Sequence, residues 1–301
     1  MRIGIFGGEA ADGTVDDLIE AARRTEADGF DSFWLPQIFG PDAITVQAII
    51  GREVPRIELG TAVVPTYPRH PMMLASQALT TQAASGGRFT LGIGLSHQLV
   101  IESMFGMSFD KPVRHMREYL SILLPLIREG SVSFTGETLS ASGTVSVGGS
   151  TPCPVLVAAL GPKMLELAGS QTDGTITWMT GPDTLANHIV PSITAAAAAA
   201  GRNAPRIAAS LPVAVTDEPD ATRARASKLF EIYGMLPSYR AMLDREGAAG
   251  PADVALVGDE AAVRDGIDQV RQAGVTDFVA TEFAVDAPER TRTRDLLKSL
   301  V

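Results

Sequence analysis

The sequence predicts an α/β fold, a (β/α)8 TIM barrel with insertions, on three observations. Apolar strand-like runs alternate with helix-like runs, and strands starting near residues 3, 31, 57, 88, 154, 175, 207 and 276 number about eight, enough to close such a barrel. The same helix-to-strand joint occurs twice. Ala27-Asp28-Gly29-Phe30-Asp31-Ser32-Phe33 parallels Gln272-Ala273-Gly274-Val275-Thr276-Asp277-Phe278, each with a helix-ending glycine just before a buried strand. The rival doubly wound sheet would carry a glycine-rich dinucleotide turn after its first strand. Gly7-Gly8-Glu9-Ala10-Ala11-Asp12-Gly13 lacks that spacing.

The elements follow in order. Ile3 to Phe6 is a short apolar strand. Thr14-Val15-Asp16-Asp17 resembles a capping box, and Leu18, Ala21, Ala22 and Thr25 share one face of the helix it opens. Phe30–Pro36 is the second strand, Ala43–Gly51 a helix, and Ile57–Val64 a β-branched third strand. Pro71 suits the first position of a helix that runs to Ser85, and Arg88–Gly94 is the fourth strand. Val113–Arg128 carries an apolar stripe of Met116, Leu120, Leu123, Leu124 and Ile127, with Pro125 expected to kink or shorten the helix. Residues 131–149 break the rhythm with Ser, Thr, Gly and alternating Val145 and Val147, which predicts a hairpin insertion. Alternation then resumes: strand Pro154–Ala159, helix Lys163–Ser170, strand Thr175–Met179, and helix Asp183–Ala200 ending in an alanine run. Strand Arg206–Val215, a helical stretch Ala221–Glu246 broken near Pro237, helix Ala261–Ala273 and strand Thr276–Phe283 complete the pattern.

Composition narrows the function. The chain has 301 residues, 45% hydrophobic and 20% charged, which excludes a disordered chain and suits one barrel domain spanning residues 1–301. With 25 basic against 35 acidic side chains the net charge is −10, which argues against nucleic acid or anionic membrane as partners. No apolar run reaches the ~18 residues of a membrane span. Met1–Gly8 reads as a strand, not a signal peptide. The single cysteine, Cys153, excludes an internal disulfide and a thiolate zinc cluster, and the whole fits a cytoplasmic location.

A barrel places its chemistry after the C-terminal ends of its strands. Ala158-Ala159-Leu160-Gly161-Pro162-Lys163-Met164 runs from a strand into a helix start, where free N–H groups, the helix dipole and Lys163 suit a phosphate; an ordinary joint would use Gly and Pro as well. Leu91-Gly92-Ile93-Gly94-Leu95-Ser96-His97-Gln98 ends a strand with glycines that admit a flat ligand and points His97 at the mouth as a proton carrier; a surface histidine is the alternative. Pro65-Thr66-Tyr67-Pro68-Arg69-His70-Pro71 is rigid, so Arg69 and His70 are expected to cap or brace. Trp178 could pack on a ring or fill the core, and His115 and His188 read as structural. There is no metal-ligand cluster, nucleophile elbow, Walker loop or strand lysine, so an organic cofactor is expected to carry the difficult step.

Together these pieces resemble the bacterial luciferase-like flavin and deazaflavin oxidoreductases, in particular the actinobacterial branch that uses coenzyme F420. The resemblance rests on Ala27 to Trp34, Leu59 to Pro65 with Arg69-His70-Pro71, and Arg88 to Gly94. It continues in His115 to Leu120, Gly161-Pro162-Lys163, and Ala255 to Asp259 followed by Ala273 to Asp277, covering nearly the whole length. It implies a luciferase-like barrel with insertions, a homodimer, and a non-proline cis bond, by position Ala62–Val63, behind the deazaflavin ring. It implies Gly7, Ala62, Val63, Gly94, Ser96, Ala158, Ala159, Leu160, Gly161, Pro162, Lys163 and Trp178 as cofactor-binding residues, with His97 and Gln37 as catalytic ones. Sugar-phosphate dehydrogenases of the family carry Asp-His where this chain has Pro36-Gln37, and a catalytic Glu where it has His97, which argues against a sugar-phosphate substrate. The expected activity is F420-dependent hydride transfer to or from a small organic molecule. The alternatives are an FMN-dependent luciferase-like monooxygenase and a non-catalytic flavin-binding protein.

Overall fold

Eight parallel strands hydrogen-bond in sequence order and close on themselves. They are Arg2–Phe6, Ser32–Leu35, Glu58–Thr61, Phe89–Gly94, Val155–Val157, Gly174–Trp178, Arg206–Val215 and Asp277–Glu282. Closure is the pairing of the last strand with the first, from Arg2 opposite Asp277 to Ile5 opposite Ala280. The structure, a computed structural model, describes residues 1–10 and 13–301, without the side chains of residues 9 and 10.

Local chemistry starts and stops the surrounding helices. Thr14 and Asp17 form the expected capping box for Val15–Ala27. Asp42, His70, Asp259 and Asp286 cap the helices beginning at Ala43, Pro71, Glu260 and Ala287. The repeated joint recurs in space: Gly29 and Gly274 have φ of +89° and +95°, a left-handed conformation that glycine takes at no steric cost. The insertion is an antiparallel hairpin, Ser131–Thr135 with Ser140–Thr144. Glu118 on the preceding helix holds its turn by accepting backbone N–H bonds from Glu137, Thr138 and Leu139 at 2.8–3.0 Å.

Three expectations are corrected. Helix Pro112–Glu129 runs unbroken through Pro125, because the proline lies in its last turns and the helix ends at left-handed Gly130, whose N–H bonds the Pro125 carbonyl. The predicted helix 183–200 contains a wide π-turn at Leu185–Ile189, next to Pro191, which has no N–H to close a regular turn. The third strand stops at Thr61 and resumes only at Val64–Pro65. A short strand, Leu256–Gly258, and a final helix, Ala287–Lys298, escaped the sequence reading.

The barrel interior is layered, and the layers decide which end is open. At the strand starts Arg206 grips Asp277 with two bonds of 2.6 and 3.0 Å and reaches Glu58 at 2.5 Å, while Arg2 reaches Glu58 at 2.6 Å. Burial opposes the Arg206 charge, but the carboxylates of Asp277 and Glu58 outweigh it and raise its pKa. Above this ionic floor lies Trp34, fully buried, its ring 5.4 Å beneath the Arg206 guanidinium carbon and its Nε1 donating to Ser32. Gly60 makes the room: a Cβ there would lie 2.2 Å from the Trp34 ring. Leu156, Ile176, Ala208 and Val279 pack around the indole, with Phe6, Ala62 and Val63 partly buried against that cluster. One end is thus sealed by ion pairs and an indole, leaving the C-terminal end for a ligand.

Candidate active site

A cavity of about 970 Å³ opens at the C-terminal ends of the strands. That volume is at the upper end for a small-molecule site and leaves room for a cofactor together with a substrate. Its floor is made of strand ends: Phe6, Ala62, Val63, Gly94, Ala158, Ile176, Trp178 and Ser210. Its walls come from segments beyond the strands, namely residues 36–38, 95–103, Phe109 and 232–239.

On one side, at Ala62, Val63, Gly94 and Ala158, the floor carries only small side chains or none. The Ala62–Val63 peptide bond is cis, as the family resemblance implied. Thr61 ties it to the neighbouring strand, its Oγ1 donating to the Gly92 carbonyl and accepting the Gly92 N–H, both at 2.9 Å. A Cβ at Gly94 would stand 2.7 Å from Val63 Cγ2 and 3.3 Å from Ala158 Cβ. Glycine is therefore needed for close approach, and a flat ring can lie against main chain here.

His97 reaches the mouth through a left-handed Ser96, with φ of +61° just beyond the strand end. Its ring packs against Tyr239 at 5.8 Å, and burial lowers its pKa, so the imidazole is neutral near pH 7. Gln37 also lines the cavity, but its Oε1 accepts from the Ala43 N–H at 2.9 Å and from Arg69 at 3.4 Å. That amide oxygen is committed to the helix start, and the NH2 group donates weakly to the Ile38 carbonyl at 3.4 Å, which leaves one amide hydrogen for a ligand. Arg69 is itself held by Asp42 at 2.5 Å, and His70 caps its helix, as bracing residues do.

Ala158, Ala159, Leu160 and Gly161 line the cavity where the fifth strand runs into helix Pro162–Gln171. His188 fixes this loop by donating to the Leu160 carbonyl at 2.8 Å. Pro162 and Lys163 lie outside the lining, and Lys163 is solvent-exposed at the helix start. Gly7 is also outside, because it turns against Phe33 and Leu35, where a Cβ would come within 2.8 Å of each. Trp178 stacks on Phe6 at 6.0 Å and meets Tyr233 edge-on at 5.9 Å. His115 is a core residue: it bonds Thr66 Oγ1 at 3.0 Å, stacks on Tyr67 at 3.9 Å, and burial pushes its pKa down to about 4.

Eleven of the candidate residues thus meet in one place: Gln37, Ala62, Val63, Gly94, Ser96, His97, Ala158, Ala159, Leu160, Gly161 and Trp178. The sequence reading missed the outer wall. Tyr233 and Tyr239 come from a helical stretch that carries no motif, and Glu102 from a π-turn at Val100–Met104. The break at Pro237 was the one available signal, since it marks where the two helices part over the mouth.

A family model described as luciferase-like monooxygenase matches residues 1–277. A Mycobacterium tuberculosis protein provisionally named a coenzyme F420-dependent oxidoreductase is 32% identical over 188 residues, 58% of this chain and 53% of that relative, so the chain spans about half the length of that relative. A 5,10-methylenetetrahydromethanopterin reductase of Methanolobus tindarius is 27% identical over 266 residues, 88% of this chain and 80% of the relative. The solved coenzyme F420-dependent tetrahydromethanopterin reductase of Methanopyrus kandleri superposes with a TM-score of 0.82 at 22% identity, covering 100% of this chain and 98% of that one, which establishes the shared fold. With the closed barrel, the non-proline cis bond and the cavity at the strand ends, these matches make the chain a member of the luciferase-like monooxygenase family.

Proposed function

We propose that this chain is a coenzyme F420-dependent oxidoreductase that passes a hydride between the deazaflavin and a small organic substrate. The observation that carries the reading is the bare floor at Ala62, Val63, Gly94 and Ala158, where side chains are absent or small enough for a flat ring to meet main chain. The relatives named for F420 support the choice of cofactor. The residues fit the group: the floor takes the ring, Ser96 and Trp178 flank it, and the Ala159–Gly161 loop with the start of helix Pro162–Gln171 takes the phosphate side. When bound, the deazaflavin supplies the two-electron chemistry.

The chain's own work is positioning and proton handling. The walls at residues 95–103 and 232–239 flank the strand ends and would position a substrate over the floor. His97, neutral near pH 7, can accept a proton from a substrate hydroxyl, or deliver one in the reverse direction. The test is titration of the apo protein with F420 and with FMN, followed by ring fluorescence. F420 is expected to bind at least tenfold more tightly, about 1.4 kcal/mol. Equal or tighter FMN binding would replace this reading with an FMN-dependent monooxygenase. F420 binding without turnover on any carbonyl, imine, alcohol or enone would favour a binding protein.

A further inference from the structure

The outer wall of the cavity carries information about the substrate that the cofactor floor does not. Of the residues lining the cavity none is Lys or Arg, and the four residues without described side chains, Glu9 to Asp12, include no basic one. Among the described residues the one carboxylate in the lining is Glu102, which accepts from Gln98 Nε2 with both oxygens at 3.1 Å. An anionic substrate at the outer wall, away from the Ala159–Gly161 loop assigned to the cofactor phosphate, would therefore meet no cationic side chain and the like charge of Glu102. A carboxylate or phosphate desolvated without a partner is strongly disfavoured.

Beside the uncharged polar groups of Gln37, Ser96, His97, Gln98, Ser103 and Ser238, most of the wall is apolar or aromatic. Ile38, Leu99, Phe109, Ile232, Met235 and Leu236 line it, and Leu99 and Met235 are 62% and 66% exposed. Large aliphatic side chains left that open beside a cavity are covered when an apolar molecule enters. On one side the rings form a continuous series from floor to rim. Phe6 stacks on Trp178 at 6.0 Å, Trp178 meets Tyr233 edge-on at 5.9 Å, Tyr233 meets Tyr239 at 5.1 Å, and Tyr239 meets His97 at 5.8 Å. Such a series offers faces and edges to a planar body, with His97 at its outer end.

From the absence of any basic side chain in the lining, the carboxylate of Glu102 and this aromatic series, we infer that the substrate is an uncharged molecule with a planar apolar body, and that Glu102 acts as a charge filter against anions. The inference rests on the reading of this cavity as the F420 and substrate site. It separates this chain from the sugar-phosphate dehydrogenases of the family.

The test uses a matched pair of probes, 4-phenylcyclohex-2-enone and 4-(4-carboxyphenyl)cyclohex-2-enone. Each is titrated calorimetrically into the full chain, alone and after saturation with F420. Cofactor binding is scored separately by fluorescence, so a failure of F420 to bind counts against the proposed function and leaves the probe comparison readable on the apo protein. The neutral probe is expected to bind at least tenfold more tightly than the carboxylate. Glu102→Gln should narrow that ratio several-fold, and Glu102→Lys should close or reverse it. Equal or tighter binding of the carboxylate by the wild-type chain overturns the inference, as does failure of the neutral probe to bind at all. A ratio unmoved by both Glu102 variants removes Glu102 as the filter.

Discussion

Replacing His97 with Ala separates a proton carrier from a rim residue, because its two consequences differ greatly in size. The ring is half-buried, packs on Tyr239 at 5.8 Å, and makes no side-chain hydrogen bond among the described residues. Its removal thus costs the fold little more than one aromatic pair, about 0.5–1.5 kcal/mol. For a chain of this size that lowers Tm by a few degrees, on the order of 2–4 °C per kcal/mol. Loss of a general acid or base instead lowers turnover about 10²–10⁴-fold, roughly 3–5 kcal/mol in the barrier. The assay is single-turnover bleaching of the cofactor absorbance, with the most reactive substrate found in a panel, beside thermal denaturation and F420 titration. The pH profile adds a sign. Burial lowers the His97 pKa below its usual 6.5, so the neutral, proton-accepting form is present above that lowered value. Wild-type turnover in the proton-abstracting direction should fall as pH drops through it, and the variant should lose that limb. A variant with turnover reduced only in proportion to its folded fraction, or with the acid limb intact, would refute the role.

Three further outcomes are expected. Gly94→Ala pushes a methyl to within 2.7 Å of Val63 Cγ2; it should cost about 1–3 kcal/mol of stability by overpacking and weaken F420 at least tenfold, read by denaturation and fluorescence titration. Lys163→Glu, on an exposed side chain at the start of helix Pro162–Gln171, should weaken F420 by about 1 kcal/mol at low salt and less at high salt, and an effect independent of salt would rule out a phosphate contact. His115 has a folded pKa of about 4 against 6.5 unfolded, so the unfolded chain takes the proton first as pH falls. About 1–3 kcal/mol of stability should be lost between pH 6.5 and 4, and urea midpoints that do not move across that window in the wild type, or move equally in His115→Gln, would contradict it.

Much of this molecule is written locally. The barrel was legible because most helix starts and strand runs carry their own signal: the Thr14–Asp17 box, the glycines at 29 and 274, and the β-branched runs. Periodicity and caps act within one or two turns of chain, so sequence neighbours determine them. Part of the cavity lining was legible too, because strand ends are where a barrel exposes chemistry, and Gly94, His97 and Gly161 line the cavity there. What only the tertiary structure decided are the contacts between distant segments. Arg206 and Glu58 lie 148 residues apart and meet because both begin strands on the same rim. Tyr239 reaches His97 only because the helices on either side of Pro237 lie over the mouth. Gln37 looks like a free ligand group in sequence and is occupied by Ala43 and Arg69 in space. Lys163 looks like a phosphate clamp and stands in solvent. A side chain's partners are set by strand register and barrel closure, which sum over the whole chain, and no short stretch of sequence contains that sum.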